Sequence, residues 1–323
     1  MARKVANYAK WTQKQWQDYR QKQQGLGGSD IAAALGINKY KSARRLWSEL
    51  TGAVQREDIS DKPAVRMGNK LEPIVAELFA EETGYKVRKN NWILQHDTID
   101  YLYANIDREV ILPDGSRAVL ECKTSNYNMR KYWEGDSVPK EYMAQVQYYL
   151  MITGYQKAFM AVLIGGVDFD YWIIERNEAI IADIEKQAAD FWQHVLDGTM
   201  PAIDGSEDAA KLLLESYTEA DKDLIVDLPD ADAEKVEMRE ILQQQKKELE
   251  AQINAIDNYF KDKIGQAGAT AAKAGSYYVN WNIQNRRSFD EKALAAKYPK
   301  LFREWTAAKD QFTTFKPTRA IRY

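Results

Sequence analysis

The sequence predicts an α/β or α+β fold over residues 1–205, with a mixed sheet covered by helices, and a C-terminal extension with a long helix over 206–323. Three observations predict it. Helix-like segments come first, a run of strand-like segments follows, and helix, strand pair and helix then alternate up to about residue 200. The strand run contains Asp114-Gly115, a strong hairpin signal. At 323 residues, 45% hydrophobic and 29% charged, the chain can build one large core or one core with an appendage.

Taken in order, residues 11–24 read as a helix carrying Trp11, Trp16 and Tyr19 among lysines and glutamines. "GLGGSDIAAALG" is a glycine-rich turn whose Ser29 or Asp30 could cap a helix at Ile31–Leu35. "SARRLWSELTG" reads as a helix ending at Gly52, and "DKPAVRMGNKLEPIVAELFAEETG" as a longer one closing at Gly84. Pro73 inside the latter predicts a start or a kink. "YKVRKNNWILQ", "DYLYANIDREVIL" and "SRAVLECKTS" are strand-like. "PKEYMAQVQYYLMITG" is a helix with Pro139 near its start and Gly154 at its stop. "QKAFMAVLIGG" and "DFDYWIIER" form a strand pair, and "NEAIIADIEKQAADFWQHVLDG" is an amphipathic helix capped by Asn177. The acidic stretch near 204–230 marks a boundary. Beyond it runs a helix from about Ala231 to Lys263, with Leu249, Ile253, Ile256 and Phe260 on one face, then a strand and a helix.

Composition narrows the chemistry. Cys122 is the single cysteine, which excludes an intrachain disulfide and any cysteine-based zinc or iron–sulfur site. His96 and His194 are the two histidines and read as structural or exposed, so a bound metal would rest on carboxylates, which favours Mg²⁺ or Mn²⁺. There is no apolar run of bilayer length and no signal-like N-terminus, and a cytoplasmic protein is expected. Net charge is −3, but residues 1–24 carry six Lys/Arg against one Asp, while 204–240 carry thirteen Asp/Glu against four Lys/Arg. A local basic surface on an acidic chain is therefore possible, although a charge run is commonly a solvated face.

The stretch "ANIDREVILPDGSRAVLECKTS" concentrates the chemistry. Strand alternation puts Ala118, Leu120 and Cys122 on one face and Val119, Glu121 and Lys123 on the other. The hairpin can bring Asp107 beside Glu121. Two close carboxylates repel unless a cation lies between them. A divalent ion there would acidify water and stabilise charge on a phosphate, with Lys123 holding the water or the developing charge. The plain alternative is an exposed Glu121/Lys123 pair with Asp107 on the surface.

"GGSD", "GNKLEP" with Glu72, "NIDRE", "LECKT" and "YMAQVQYYL" with Gln145 and Gln147 occur in this order. As an ordered set over about residues 14–200 they resemble the lambda-exonuclease-like (YqaJ) phage recombination nucleases of the PD-(D/E)xK superfamily. The resemblance implies a restriction-endonuclease-like core. It implies Asp107, Glu121 and the Cys122 backbone carbonyl as ligands of Mg²⁺ or Mn²⁺, with two ions, and Glu72 close to them directly or through water. Lys123 would act on the attacking water, and Gln145 would position the scissile phosphate or Lys123. Ser29 and Arg20 would bind a 5′-phosphate, a role that a glycine-rich helix start also suits on its own. Trp16 and Arg20 match the family's W-x(3)-R, but "QKQQ" lengthens the spacing to Ser29, and Lys22 is an alternative. Gln147 lies about 200° around the helix from Gln145 and reads as a structural amide.

The implied activity is 5′→3′ digestion of one strand of linear double-stranded DNA. The 3′ overhang would go to a single-strand annealing protein, in a phage or prophage setting, with a homo-oligomeric ring as a possible assembly. The rivals are an endonuclease or helicase-linked nuclease of the same superfamily, and a non-catalytic DNA-end-binding protein. Trp11, Trp16, Trp47, Tyr101, Tyr103 and Trp133 suit the core better than base stacking. Lys39, Lys41, Arg44 and Arg45 could track phosphates or form a solvated face, and Arg286–Arg287 could touch DNA or a partner.

Overall fold

The computed structural model describes residues 2–135, 138–221, 223–282 and 290–311, so Arg286 and Arg287 lie outside the described residues. The chain divides into two compact units, Met1–Ser216 and Tyr217–Tyr323.

The first unit runs β1 (Arg3–Asn7), α1 (Gln13–Lys22), α2 (Gly28–Ala34), α3 (Ala43–Leu50), α4 (Pro63–Thr83), β2 (Lys86–Lys89), β3 (Trp92–Gln95), β4 (Tyr103–Ala104), β5 (Arg108–Ile111) and β6 (Arg117–Ser125). It continues through α5 (Lys140–Thr153), β7 (Lys157–Ile164), β8 (Asp168–Glu175), α6 (Glu178–Asp197) and α7 (Glu207–Ser216). A five-stranded sheet has the order β2-β5-β6-β7-β8. Its β6–β7 pair is parallel and its other pairs are antiparallel. A parallel neighbour demands a crossover, and α5 supplies it. The expected mixed sheet flanked by helices is what this unit forms.

Alternation along β6 sorts the two cores. Ala118, Leu120 and Cys122 pack with Val75, Ala76 and Phe79 of α4. Val119 faces the larger core, which α5 shares with Ile31 of α2, Leu46 of α3 and Phe191 of α6. A second sheet, β1-β3-β4, lies beside these helices.

The differences from the sequence reading have local causes. "YKVRKNNWILQ" is two strands in two sheets, broken at the buried Asn90, whose carbonyl accepts from Tyr8 Oη at 2.8 Å and whose side chain accepts from Trp92 N at 2.8 Å. α2 begins at Gly28 rather than Ile31. Its N-cap is Gly27, and Asp30 serves from within the first turn by accepting from Gly27 N at 3.3 Å. α4 starts with Pro63 at its first position and runs on through Pro73. Pro73 and Asn69 are both exposed, so the carbonyl that loses its intrahelical partner faces water.

α7 belongs to the first unit, although the sequence reading ended its first domain at 205. Arg45 of α3 pairs with Asp208, and with Glu215 at 2.8 Å, while Ala209 and Leu212 are buried. Arg45 is thus a structural cation. Lys41 is held by Glu49 at 2.6 Å, and Lys39 lies over the Tyr132 ring at 3.3 Å. Both histidine side chains serve local structure: His194 Nδ1 hydrogen-bonds with Thr199 Oγ1 at 2.9 Å, and His96 Nδ1 accepts from the Ile99 N–H. Trp47 and Trp133 are core residues, and Tyr101 stacks on Trp192.

The second unit contains α8 (Ala233–Gln266), a hairpin of β9 (Ala271–Ala274) and β10 (Tyr277–Asn280), α9 (Glu291–Lys297) and α10 (Pro299–Gln311). Leu249, Ile253 and Ile256 of the expected apolar face are exposed. Among the described residues, no helix is long and apolar enough to cross a membrane.

Tyr148, fully buried on α5, donates to Leu26 O at 2.8 Å and Tyr103 O at 3.0 Å. It ties the crossover helix to β4 and to the segment preceding α2. Tyr148→Phe leaves two buried carbonyls without this donor, and denaturant unfolding should show a loss of about 1–3 kcal/mol.

Candidate active site

The site begins where a strand is interrupted. "YLYANIDREVI" pairs in one sheet as β4 up to Ala104 and in the other as β5 from Arg108. Ile106, buried at the break, anchors the bend. Asp107 is the last residue before β5. β5 pairs with β6 only as far as Arg108↔Leu120. Past that point the Cys122 N–H has no strand partner on this side, and it donates to Asp107 Oδ2 at 2.9 Å. The N–H and C=O of one strand residue leave on the same side. The Cys122 carbonyl therefore faces the Asp107 side, while its thiol packs into the α4 core. Burial, with Asp107 and Glu121 nearby, pushes that thiol well above its ordinary value, so it is no nucleophile.

Glu121 points the other way, toward α5, and is 3% exposed. Its Oε1 accepts from Lys123 Nζ at 2.6 Å and from Gln145 Nε2 at 2.8 Å. Gln145 Oε1 accepts from Lys123 Nζ at 3.2 Å, which closes a triangle. Among the described residues, Glu121 Oε2, which is buried, has no hydrogen-bond partner. A buried carboxylate oxygen without a donor is costly and calls for a cation or water. Asp107 feels the same excess of negative charge. Burial, then repulsion from Glu121, raise its carboxyl well above the ordinary value; Glu72 adds to this, and Lys123 and the Cys122 N–H offset part of it. Burial alone would lower Lys123, but Glu121 and Asp107 outweigh it and hold the ammonium above the usual lysine value.

Glu72 projects from α4 into the neighbourhood of Asp107, where Arg108 Nη1 takes it at 2.5 Å. Among the described residues, no three His, Cys, Asp or Glu side chains converge into a ready-made metal cage. The arrangement is instead two repelling carboxylates, one of them with an oxygen that has no partner among the described residues, and one backbone carbonyl. That donor set is all oxygen, and it fits a hard divalent cation.

The glycine motif joins this site through Tyr149. Gly28 lies against the Tyr149 ring, and a Cβ at position 28 would come within 2.2 Å of it. Tyr149 Oη in turn accepts from Gln145 Nε2 at 2.9 Å. The next residue, Ser29, is exposed, and Arg20 Nη2 reaches its Oγ at 3.3 Å. So α1 brings Arg20 to Ser29 despite the lengthened spacing. Lys22, the alternative, is exposed. Asp30 holds Arg20 at 3.7 Å and Arg56 at 2.5 Å. Gln147 is 1% exposed, donates to Glu175 O and accepts from Asn177 N, a structural amide as read from the helix angle.

Four neighbours of the site carried no assignment from sequence. Arg108 stands in "NIDRE", and Tyr142 and Tyr149 stand in "YMAQVQYYL", where the motif itself flagged them; the Tyr142 ring lies 5.1 Å from Lys123 Nζ. Tyr8, which burial, then Asp107 and Glu72, push up to about 12, left no such signal.

Residues 15–156 match the sequence profile of the YqaJ-like viral recombinase domain. The protein YqaJ of Bacillus subtilis (strain 168) is 35% identical over 301 residues, covering 92% of this chain and 92% of that protein. An alkaline exonuclease, LHK-Exo, from Laribacter hongkongensis superposes with a TM-score of 0.47 at 21% identity, over 64% of this chain and 98% of its own. A phage-related exonuclease from Haemophilus somnus 129PT gives 0.37 at 14% identity, over 54% of this chain and 96% of its own.

Gly28→Ala should push Tyr149 off Gln145. An overpacked core of this kind costs about 1–3 kcal/mol, and the midpoint of urea unfolding reads it.

Proposed function

The chain belongs to the YqaJ-like viral recombinase family, and on that premise we propose that it is a metal-dependent deoxyribonuclease with a PD-(D/E)xK core. The observation that carries this reading is Glu121 Oε2, buried without a partner beside an Asp107 that Glu121 repels. Asp107, Glu121 and the Cys122 carbonyl would hold Mg²⁺ or Mn²⁺, with Glu72 at the margin. Bound there, two ions would acidify water and stabilise the leaving oxygen.

The chain's own residues supply the rest. Lys123, held charged, donates toward the attacking water and the phosphoryl oxygens, where negative charge develops. Gln145 orients Lys123 and Glu121 together, because its amide bonds both. Arg20 and Ser29 form the receptor for a terminal phosphate, and Arg20 presents a guanidinium suited to phosphate geometry. The preferred substrate is linear double-stranded DNA, cut 5′→3′ on one strand to leave a 3′ overhang for an annealing protein. A homo-oligomeric ring and a cytoplasmic, phage-derived setting are part of the same proposal.

End-labelled linear duplex with Mg²⁺ is the test. Glu121→Ala and Lys123→Ala should abolish hydrolysis while duplex binding, followed by fluorescence anisotropy, persists. Cleavage at the native rate in both variants would overturn the site, and nicking of a closed circle would favour the endonuclease reading. Binding without hydrolysis by the native chain would favour the end-binding reading.

A duplex with 5′-phosphate ends should be digested faster than one with 5′-hydroxyl ends. Arg20→Ala should erase most of that preference, since a charge-assisted hydrogen bond contributes about 1.5–3 kcal/mol, or roughly ten- to hundredfold. Equal rates on the two ends with the native chain would remove the Ser29–Arg20 assignment and leave the nuclease reading standing.

A further inference from the structure

We infer that Arg108 is a positioning residue that competes with the divalent cation for Glu72, keeping that carboxylate out of the metal shell until a cation draws it away. The inference rests on the metal-dependent reading above and adds to it a residue that limits how tightly the free protein holds its ion.

Arg108 opens β5 and is 7% exposed, an unusual burial for a guanidinium. The same nitrogen, Nη1, donates to Glu72 Oε1 at 2.5 Å and to the Asp107 backbone carbonyl at 2.8 Å. One group therefore links the α4 carboxylate to the residue whose side chain meets the Cys122 N–H. The bond to the Asp107 carbonyl anchors Arg108 independently of Glu72. Glu72 is the more accessible partner, with a side chain 28% exposed, so it is the one free to change partners. Arginine does not deprotonate in proteins, and its charge stays in the pocket at every working pH.

Charge sets the sign. Asp107, Glu121 and Glu72 oppose Lys123 and Arg108, which leaves one negative charge in the pocket. Without Arg108 two remain, and Glu72 is released. Neutral or acidic groups behind metal ligands ordinarily strengthen binding, and losing them weakens it. A cation paired with a would-be ligand acts the other way. A purely structural Arg108 would give the ordinary sign, because its loss would loosen Glu72 and Asp107 together.

The test is calorimetric titration of Mn²⁺ into the full chain without DNA, alongside turnover on linear duplex. Arg108→Gln should bind Mn²⁺ about tenfold more tightly than the native chain, the scale on which groups behind metal ligands act. Arg108→Lys keeps the charge and should stay near the native affinity. In a Glu72→Gln background, Arg108→Gln should lose most of its gain. Should Arg108→Gln melt early, Arg108→Met fills the buried volume and gives the same readout. Unchanged or weaker Mn²⁺ binding in a folded Arg108→Gln or Arg108→Met protein would overturn the inference. So would a gain that survives undiminished with Glu72→Gln. A native chain that neither binds Mn²⁺ nor cleaves DNA would remove the metal reading itself, and the inference with it.

Discussion

The hydrogen bond from the Cys122 N–H to the Asp107 carboxylate is the contact on which the rest of the site depends. It exists because β4 and β5 belong to different sheets, so the chain between them bends where β6 continues. A backbone donor left over by that bend needs an acceptor, and the Asp107 carboxylate just outside β5 supplies it. Satisfying the donor brings Asp107 up to β6, within repulsive range of Glu121. Their repulsion is thus a consequence of backbone accounting, and it is what makes the place receptive to a cation.

The second constraint is burial. Glu121 can be carried into the core only with donors, and α5 supplies them through Gln145, with Lys123 from the same strand. These two donors leave Oε1 well served and Oε2, among the described residues, without a partner. Gln145 is itself held by Tyr149, and Tyr149 has room only because position 28 is glycine. The turn that presents Ser29 therefore touches the same rigid stack as the acidic pair. This gives the glycine motif a packing role at Gly28 besides any ligand role at Ser29.

Period and spacing made the strand chemistry legible. Alternation alone separated Cys122 from Glu121 and Lys123, and the helix angle alone separated Gln145 from Gln147. Arg20 was readable as a residue type but not as a distance, because the turn after α1 absorbs the extra residues. The break in "YKVRKNNWILQ" was hidden, since both halves alternate as strands and nothing local says that they pair in different sheets. α7 was hidden for a similar reason. Its acidic sequence reads as a linker, and only Arg45, more than a hundred and sixty residues away, shows what Asp208 is for.

By itself, then, the sequence determined the face each strand residue occupies, the helix stops at Gly84, Gly154 and Gly198, and the ordered motifs that mark the family. These depend on neighbours a few residues apart, where backbone geometry is set locally. Only the tertiary structure decided that Asp107 bonds the Cys122 amide, that Arg108 takes Glu72, and that Gly28 underlies Gln145 through Tyr149. Charges find partners through space and not along the chain. Which cation reaches Glu72 is set by where α4 packs on the sheet, and no spacing in the sequence encodes that.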